Sequence, residues 1–99
     1  MIYMVDIDET ICISPPSRNY SFAKPIVDNI NAINKLYDDG HIVIYWTARG
    51  TGTGLDWADV TKKQFEKWGV KYHDLRFGKP VYDVFICDKA FNTESFFNE

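Results

Sequence analysis

The feature that most constrains this chain is an apolar run that ends in two acids, Tyr3-Met4-Val5-Asp6-Ile7-Asp8-Glu9-Thr10. Ile2 to Ile7 is a continuous apolar run rather than an alternating one, which predicts a buried central strand of a parallel sheet covered on both faces. Side chains two apart on a strand start out on the same side. A turn right after Asp6 therefore crowds both carboxylates at the strand end. Their repulsion has to be relieved by a cation, a shared proton or solvent. Such a pair suits nucleophilic or acid–base chemistry.

Further apolar runs repeat the theme. Ile42-Val43-Ile44-Tyr45-Trp46 predicts a second buried strand, followed by Thr47-Ala48-Arg49-Gly50. Val70 to Leu75 predicts a short strand, and Val81 to Cys87 a further one that ends at Asp88-Lys89. Between them lie two helical patterns. Pro25 suits a first helical turn, Ile26, Ile30, Ile33 and Leu36 follow at helical spacing, Asp28 favours the helix start, and Gly40 is a natural stop. Asp56 is placed to cap a second helix running to Trp68, with Trp57, Val60, Phe65 and Trp68 roughly on one side and Gly69 after the end. Glu9 to Lys24 carries Ser14-Pro15-Pro16-Ser17 and reads as a loop; Ala90 to Glu99 reads as a short helix or an irregular tail.

Strands alternating with helices predict an α/β fold with a mainly parallel sheet of about four strands. Ligands of such sheets bind beyond the carboxyl ends of the strands. Asp6 and Asp8, Thr47 and Arg49, and Asp88 each follow an apolar run, and Lys79 lies in the turn before the last one. Three strand ends that deliver polar groups to one edge point to a site.

Composition narrows the class. Ninety-nine residues make one domain, and 45% hydrophobic with 16% aromatic residues supply a small core. The net charge of −3, with signs mixed, disfavours nucleic acid as a partner. No apolar stretch reaches membrane-spanning length, and Asp6 and Asp8 come too early for a signal peptide, so the expected location is cytoplasmic. Cys12 and Cys87 are then expected as free thiols, too few for a zinc site.

Asp6-Ile7-Asp8-Glu9-Thr10, strand-end Thr47, Lys79 and strand-end Asp88 together resemble the four ordered motifs of the haloacid dehalogenase superfamily of phosphatases. A closer resemblance is to small phosphatase-like proteins associated with capsule and surface-polysaccharide biosynthesis. It rests on Trp68-Gly69-Val70-Lys71-Tyr72-His73, Gly78-Lys79-Pro80, Tyr82-Asp83 and Asp88-Lys89-Ala90-Phe91. The resemblance implies a Rossmann-like core of three layers, α/β/α, with no cap domain. It also implies a magnesium-dependent phosphomonoester hydrolase. Asp6 would be the nucleophile that forms an aspartyl-phosphate, and Asp8 the acid–base. Thr47 and Lys79 would hold the phosphate, and Thr10 and Arg49 would contact substrate. Asp6, the Asp8 backbone carbonyl and Asp88 would hold Mg2+. The implied substrate is a phosphorylated small molecule, such as a sugar phosphate or polysaccharide precursor.

One departure stands out. Cys87 occupies the place where the related proteins carry an acid beside Asp88, and a thiol is a poor ligand for hard magnesium. This favours, as an alternative, a binding or assembly protein that kept the fold and lost turnover. Thr47-Ala48-Arg49-Gly50 also resembles the phosphatase domain of polynucleotide kinases, but the acidic net charge argues against a polynucleotide 3′-phosphatase. Gly50-x-Gly52-x-Gly54 lacks dinucleotide-binding spacing and reads as a loop flanking the site. A site without a cap suits a large substrate or closure by a neighbouring subunit. Phe96 and Phe97, expected to be exposed, favour a homo-oligomer.

Overall fold

In the computed structural model, which describes residues 1–98, the first apolar run forms β1 (Ile2–Val5). The chain then turns through a short antiparallel ladder, β2 (Cys12–Ile13) with β3 (Lys24–Pro25), which closes the 9–24 loop at its base. Pro25 therefore sits in a strand and not in the first helical turn. The Ile26 N–H donates to the Ile11 carbonyl at 2.8 Å and holds the chain extended until α1 (Val27–Asp38) begins. Asp28 lies in the first turn, and Ile30 and Ile33 are buried.

β4 (Ile42–Trp46) pairs parallel with β1, Ile2 opposite Ile42 through Val5 opposite Tyr45. α2 (Ala58–Trp68) follows, with the Asp56 carboxylate accepting from the Ala58 N–H at 2.9 Å. Gly69 ends it with φ 69°, a left-handed conformation that suits glycine. β5 (Asp74–Arg76) pairs parallel with β4, shorter and later than the expected strand over Val70–Leu75. Among the described residues the main sheet has three strands, in the order β1-β4-β5.

The core lies on one face of this sheet. Val5, Val43 and Tyr45 pack with Ile30 and Ile33 of α1 and Phe65 of α2, and the Tyr45 and Phe65 rings meet edge-to-face at 5.0 Å. Right-handed crossovers that step twice in the same direction put both helices on that face. Side chains alternate along a strand, so Ile2, Met4, Ile42 and Ile44 point the other way; Ile2, Met4 and Ile42 are exposed, and Ile44 on the central strand is buried. The expected α/β/α sandwich is thus a two-layer arrangement of one sheet and one layer of helices.

The expected fourth strand over Val81–Cys87 does not form. Residues 81–90 carry no helix or strand and every one of them is exposed. A strand requires pairing with a neighbouring edge, and among the described residues this run pairs with none. The chain returns to the body at α3 (Thr93–Phe97), whose Asn92 side chain accepts from the Glu94 N–H at 3.0 Å. Phe96 and Phe97 are half-buried against the core and not exposed. Both cysteines are free, Cys12 buried and Cys87 exposed. No helix among the described residues is long and apolar enough to cross a membrane.

Candidate active site

The carboxyl ends of β1 and β4 open into a cleft of about 890 Å³ whose lining includes Asp6, Asp8, Thr47 and Lys79. That size fits a small-molecule ligand. Gly50, Gly52 and Thr53 of the glycine-rich loop form one wall, and Arg18, Tyr20 and Trp57 another. Gly50 has φ 83°, and an added Cβ there would collide with the Leu55 backbone, so this wall depends on glycine.

Asp6 stands at the end of β1 with its side chain 42% exposed. Its Oδ2 faces the Lys79 ammonium at 3.6 Å, and its Oδ1 accepts from the Ile7 N–H at 2.9 Å. Removal from solvent raises the Asp6 pKa above the ordinary aspartate value, and this outweighs the opposing pull of Lys79. Lys79 is fixed from behind: its N–H donates to the Thr47 carbonyl at 3.1 Å. Its ammonium lies 5.9 Å from the Trp46 ring and 5.5 Å from the Tyr82 ring. Aromatic faces attract a cation, so Lys79 is aimed at Asp6 with little freedom. Thr47 is buried at the floor, and its hydroxyl oxygen accepts from the Arg49 N–H at 3.1 Å. That leaves the hydroxyl hydrogen free to donate to a bound anion.

Asp8 lives in a different environment. Arg49 grips it through two bonds, Nε to Oδ2 at 3.0 Å and Nη2 to Oδ1 at 2.9 Å. The Ser14 hydroxyl donates to the same carboxylate, and the Cys12 sulfur lies 3.4 Å from Oδ1. Burial pushes Asp8 towards the neutral form, but the Arg49 guanidinium and the hydroxyl prevail and hold its pKa below the ordinary value. Burial, with the neighbouring Asp8 charge, pushes the Cys12 thiol up to about 12, so it stays protonated.

Arg49 is not a free substrate contact. Its side chain is 0% exposed and does not line the cleft. Its remaining nitrogen, Nη1, donates to Thr61 Oγ1 at 3.0 Å and Gln64 Oε1 at 2.6 Å, and Gln64 in turn donates to the Tyr20 carbonyl at 2.6 Å. The Tyr20 ring lies 4.8 Å from the guanidinium. Thr61 and Gln64 are polar residues three apart on the buried face of α2, and that interruption was the signal in the sequence for this network. Thr10 is likewise outside the cleft: its hydroxyl bonds Thr93 at 2.9 Å and its carbonyl accepts from Asn29 at 2.8 Å. The backbone N–H groups that follow Asp6 are largely occupied, since Glu9, Thr10 and Ile11 donate theirs within the turn. Glu9 adopts φ 63°, a strained conformation for a non-glycine residue at the mouth of a site.

Asp88 is not among the residues lining the cleft; it sits in the exposed 81–90 segment. Among the described residues, no group of three His, Cys, Asp or Glu side chains is placed to hold a metal ion. One chain therefore does not fit the magnesium site that the resemblance implies. Asp6, Asp8, Thr47 and Lys79 are brought together; Asp88, Thr10 and Arg49 are not brought to the cleft.

The sequence matches no protein-family model and no curated protein. Among solved structures, the chain is similar to a crystal structure of a structural-genomics target from Vibrio cholerae, with a TM-score of 0.88 and 21% identity over 99% of this chain and 88% of that one. At that identity the likeness establishes the fold: a small α/β protein with a parallel three-stranded sheet.

Proposed function

We propose that this chain is a phosphomonoester hydrolase of the haloacid dehalogenase type that works through an aspartyl-phosphate on Asp6. The observation that carries the reading is the pairing of an accessible strand-end carboxylate with a caged ammonium 3.6 Å away, at the mouth of a ligand-sized cleft. Lys79 attracts a phosphate into a site that would otherwise repel it. An Asp6 oxygen attacks phosphorus, the bond to the leaving oxygen breaks, and Lys79 and the Thr47 hydroxyl balance the charge on the phosphoryl oxygens. Water then cleaves the acyl phosphate.

Asp8 is the acid–base of this scheme, and Arg49 keeps it ionised. An ionised Asp8 suits the second step, where it takes the proton from water. It serves the first step poorly, because a leaving oxygen needs a proton donor. Aryl phosphates, whose leaving groups need little protonation, should therefore be turned over faster than alkyl or sugar phosphates. The substrate class that the resemblance implies is nonetheless a sugar phosphate or polysaccharide precursor.

A second reading has its own support. A fastened Asp8 and the absence of Asp88 from the cleft favour a phosphate-binding protein that has lost turnover. Release of phosphate from an aryl phosphate and a sugar-phosphate panel, with and without magnesium, separates the two. Hydrolysis abolished by Asp6→Asn, with phosphate trapped on Asp6 in the wild type, is the expected result. Binding without turnover in both wild type and Cys87→Asp would replace the hydrolase reading with the second one.

A further inference from the structure

The chain carries two halves of a contact that it does not make with itself. One half is the outer edge of β1: no strand among the described residues pairs with it, and Ile2 and Met4 are 66% and 50% exposed beside it. The other half is the 81–90 segment, whose Val81, Val84, Phe85 and Ile86 are all exposed, Ile86 to 93%. An open strand edge is a template for pairing, and an exposed apolar run of this size marks an interaction surface.

In the register that sets Val84 level with Ile2, the segment cannot lie parallel to the β1 edge of its own chain. Lys79 is anchored through Thr47, whose N–H bonds Arg76 of β5, so the segment leaves from the β5 side at the carboxyl end of the sheet. To run parallel beside β1 with Val84 level with Ile2, it must first reach the amino end on the far side of β1. That is about 16 Å along the strands and about 14 Å across three strand spacings, roughly 21 Å in all. The five steps from Lys79 to Val84 reach at most about 18 Å, fully extended. A second molecule has no such restriction.

We propose that two copies exchange these segments, Val84–Cys87 of each pairing parallel with β1 of the other. Val84 and Ile86 then continue the exposed face formed by Ile2 and Met4, and the reciprocal contact closes as a two-fold dimer that leaves neither β1 edge open. In this register the partner's Asp88 arrives level with Asp6, at the carboxyl end of the sheet. A third carboxylate thus reaches the mouth of the cleft only in the dimer. The strand exchange rests on the geometry alone; what the partner's Asp88 does there rests on the hydrolase reading.

The test is made on the full chain. Sedimentation should show a dimer, and Phe85→Pro, which removes from an exposed residue an N–H that enters the ladder in this register, should convert it to a monomer with unchanged far-ultraviolet circular dichroism. In a Cys87→Ser background, mixing a chain that carries Met4→Cys with one that carries Ile86→Cys should give a disulfide between the two chains. A mixture with Ile13→Cys in place of Met4→Cys should not. A wild-type monomer at every concentration overturns the proposal, as does a dimer indifferent to Phe85→Pro or a disulfide formed only within a doubly substituted chain. None of these readouts depends on phosphatase activity, so failure here and failure of the hydrolase reading are separable.

Discussion

The packed body and the 81–90 segment have similar apolar character and opposite fates. Ile33 of α1 is 2% exposed and Ile86 is 93% exposed. The residues of the body meet neighbours supplied by the alternation of strand and helix. Those of the segment follow an equally apolar pattern, but no element among the described residues covers them. Hydrophobic patterning states that a segment needs cover, and the rest of the fold decides whether cover is there.

The sharpest way to break this comparison is at the ion pair that locks the body together. Asp8→Asn leaves the Arg49 charge buried without its partner, and should cost about 3–5 kcal/mol in urea unfolding. The same pair predicts a pH dependence. Asp8 has a lowered pKa in the folded state, so its stabilisation is present above the ordinary aspartate value and is lost as pH falls below it towards the folded value. Acid unfolding followed by circular dichroism should therefore be blunted in Asp8→Asn relative to wild type.

Next comes the direct pair. Ile33→Ala should cost roughly 2–5 kcal/mol, because a buried side chain leaves a cavity. Ile86→Ala, measured in dilute protein, should stay within about 0.5 kcal/mol, as for other exposed positions. The gap should narrow at high protein concentration if the segment is covered by a second copy, because subunit association then adds to stability.

A smaller effect concerns the cleft. Lys79 opposes the upward shift of Asp6, so Lys79→Met should raise the Asp6 pKa further. Only ionised Asp6 is a nucleophile, so the acid limb of kcat/KM against pH should move to higher pH in that variant, beside any loss of rate. An unmoved limb would assign it to another group.

The smallest expected change separates Asp6 from Asp8 in stability. Asp6 has a raised pKa, so its ionisation opposes folding above the ordinary aspartate value. Asp6→Asn should therefore leave thermal stability at neutral pH unchanged or slightly higher, while it removes hydrolysis. Thermal unfolding and the phosphate-release assay read the two effects side by side.

Much of this molecule was legible in the sequence because it depends on local pattern. Continuous apolar runs placed β1 and β4, helical spacing placed α1 and α2, and Gly69 marked the end of α2. The strand-end position of Asp6, Asp8 and Thr47 followed from those runs and the rule for parallel sheets. Tertiary structure decided the rest. Asp8 and Arg49 are 41 positions apart, and nothing in the sequence says that the guanidinium turns inward to Asp8, Thr61 and Gln64 and away from a ligand. Sheet pairing is equally non-local: the Val81–Cys87 run states a preference for burial without naming a neighbour. The sequence by itself determined which residues seek cover and which carry charge. Only the tertiary structure determined which of them meet, because a side chain's partners are set by the path of the whole chain.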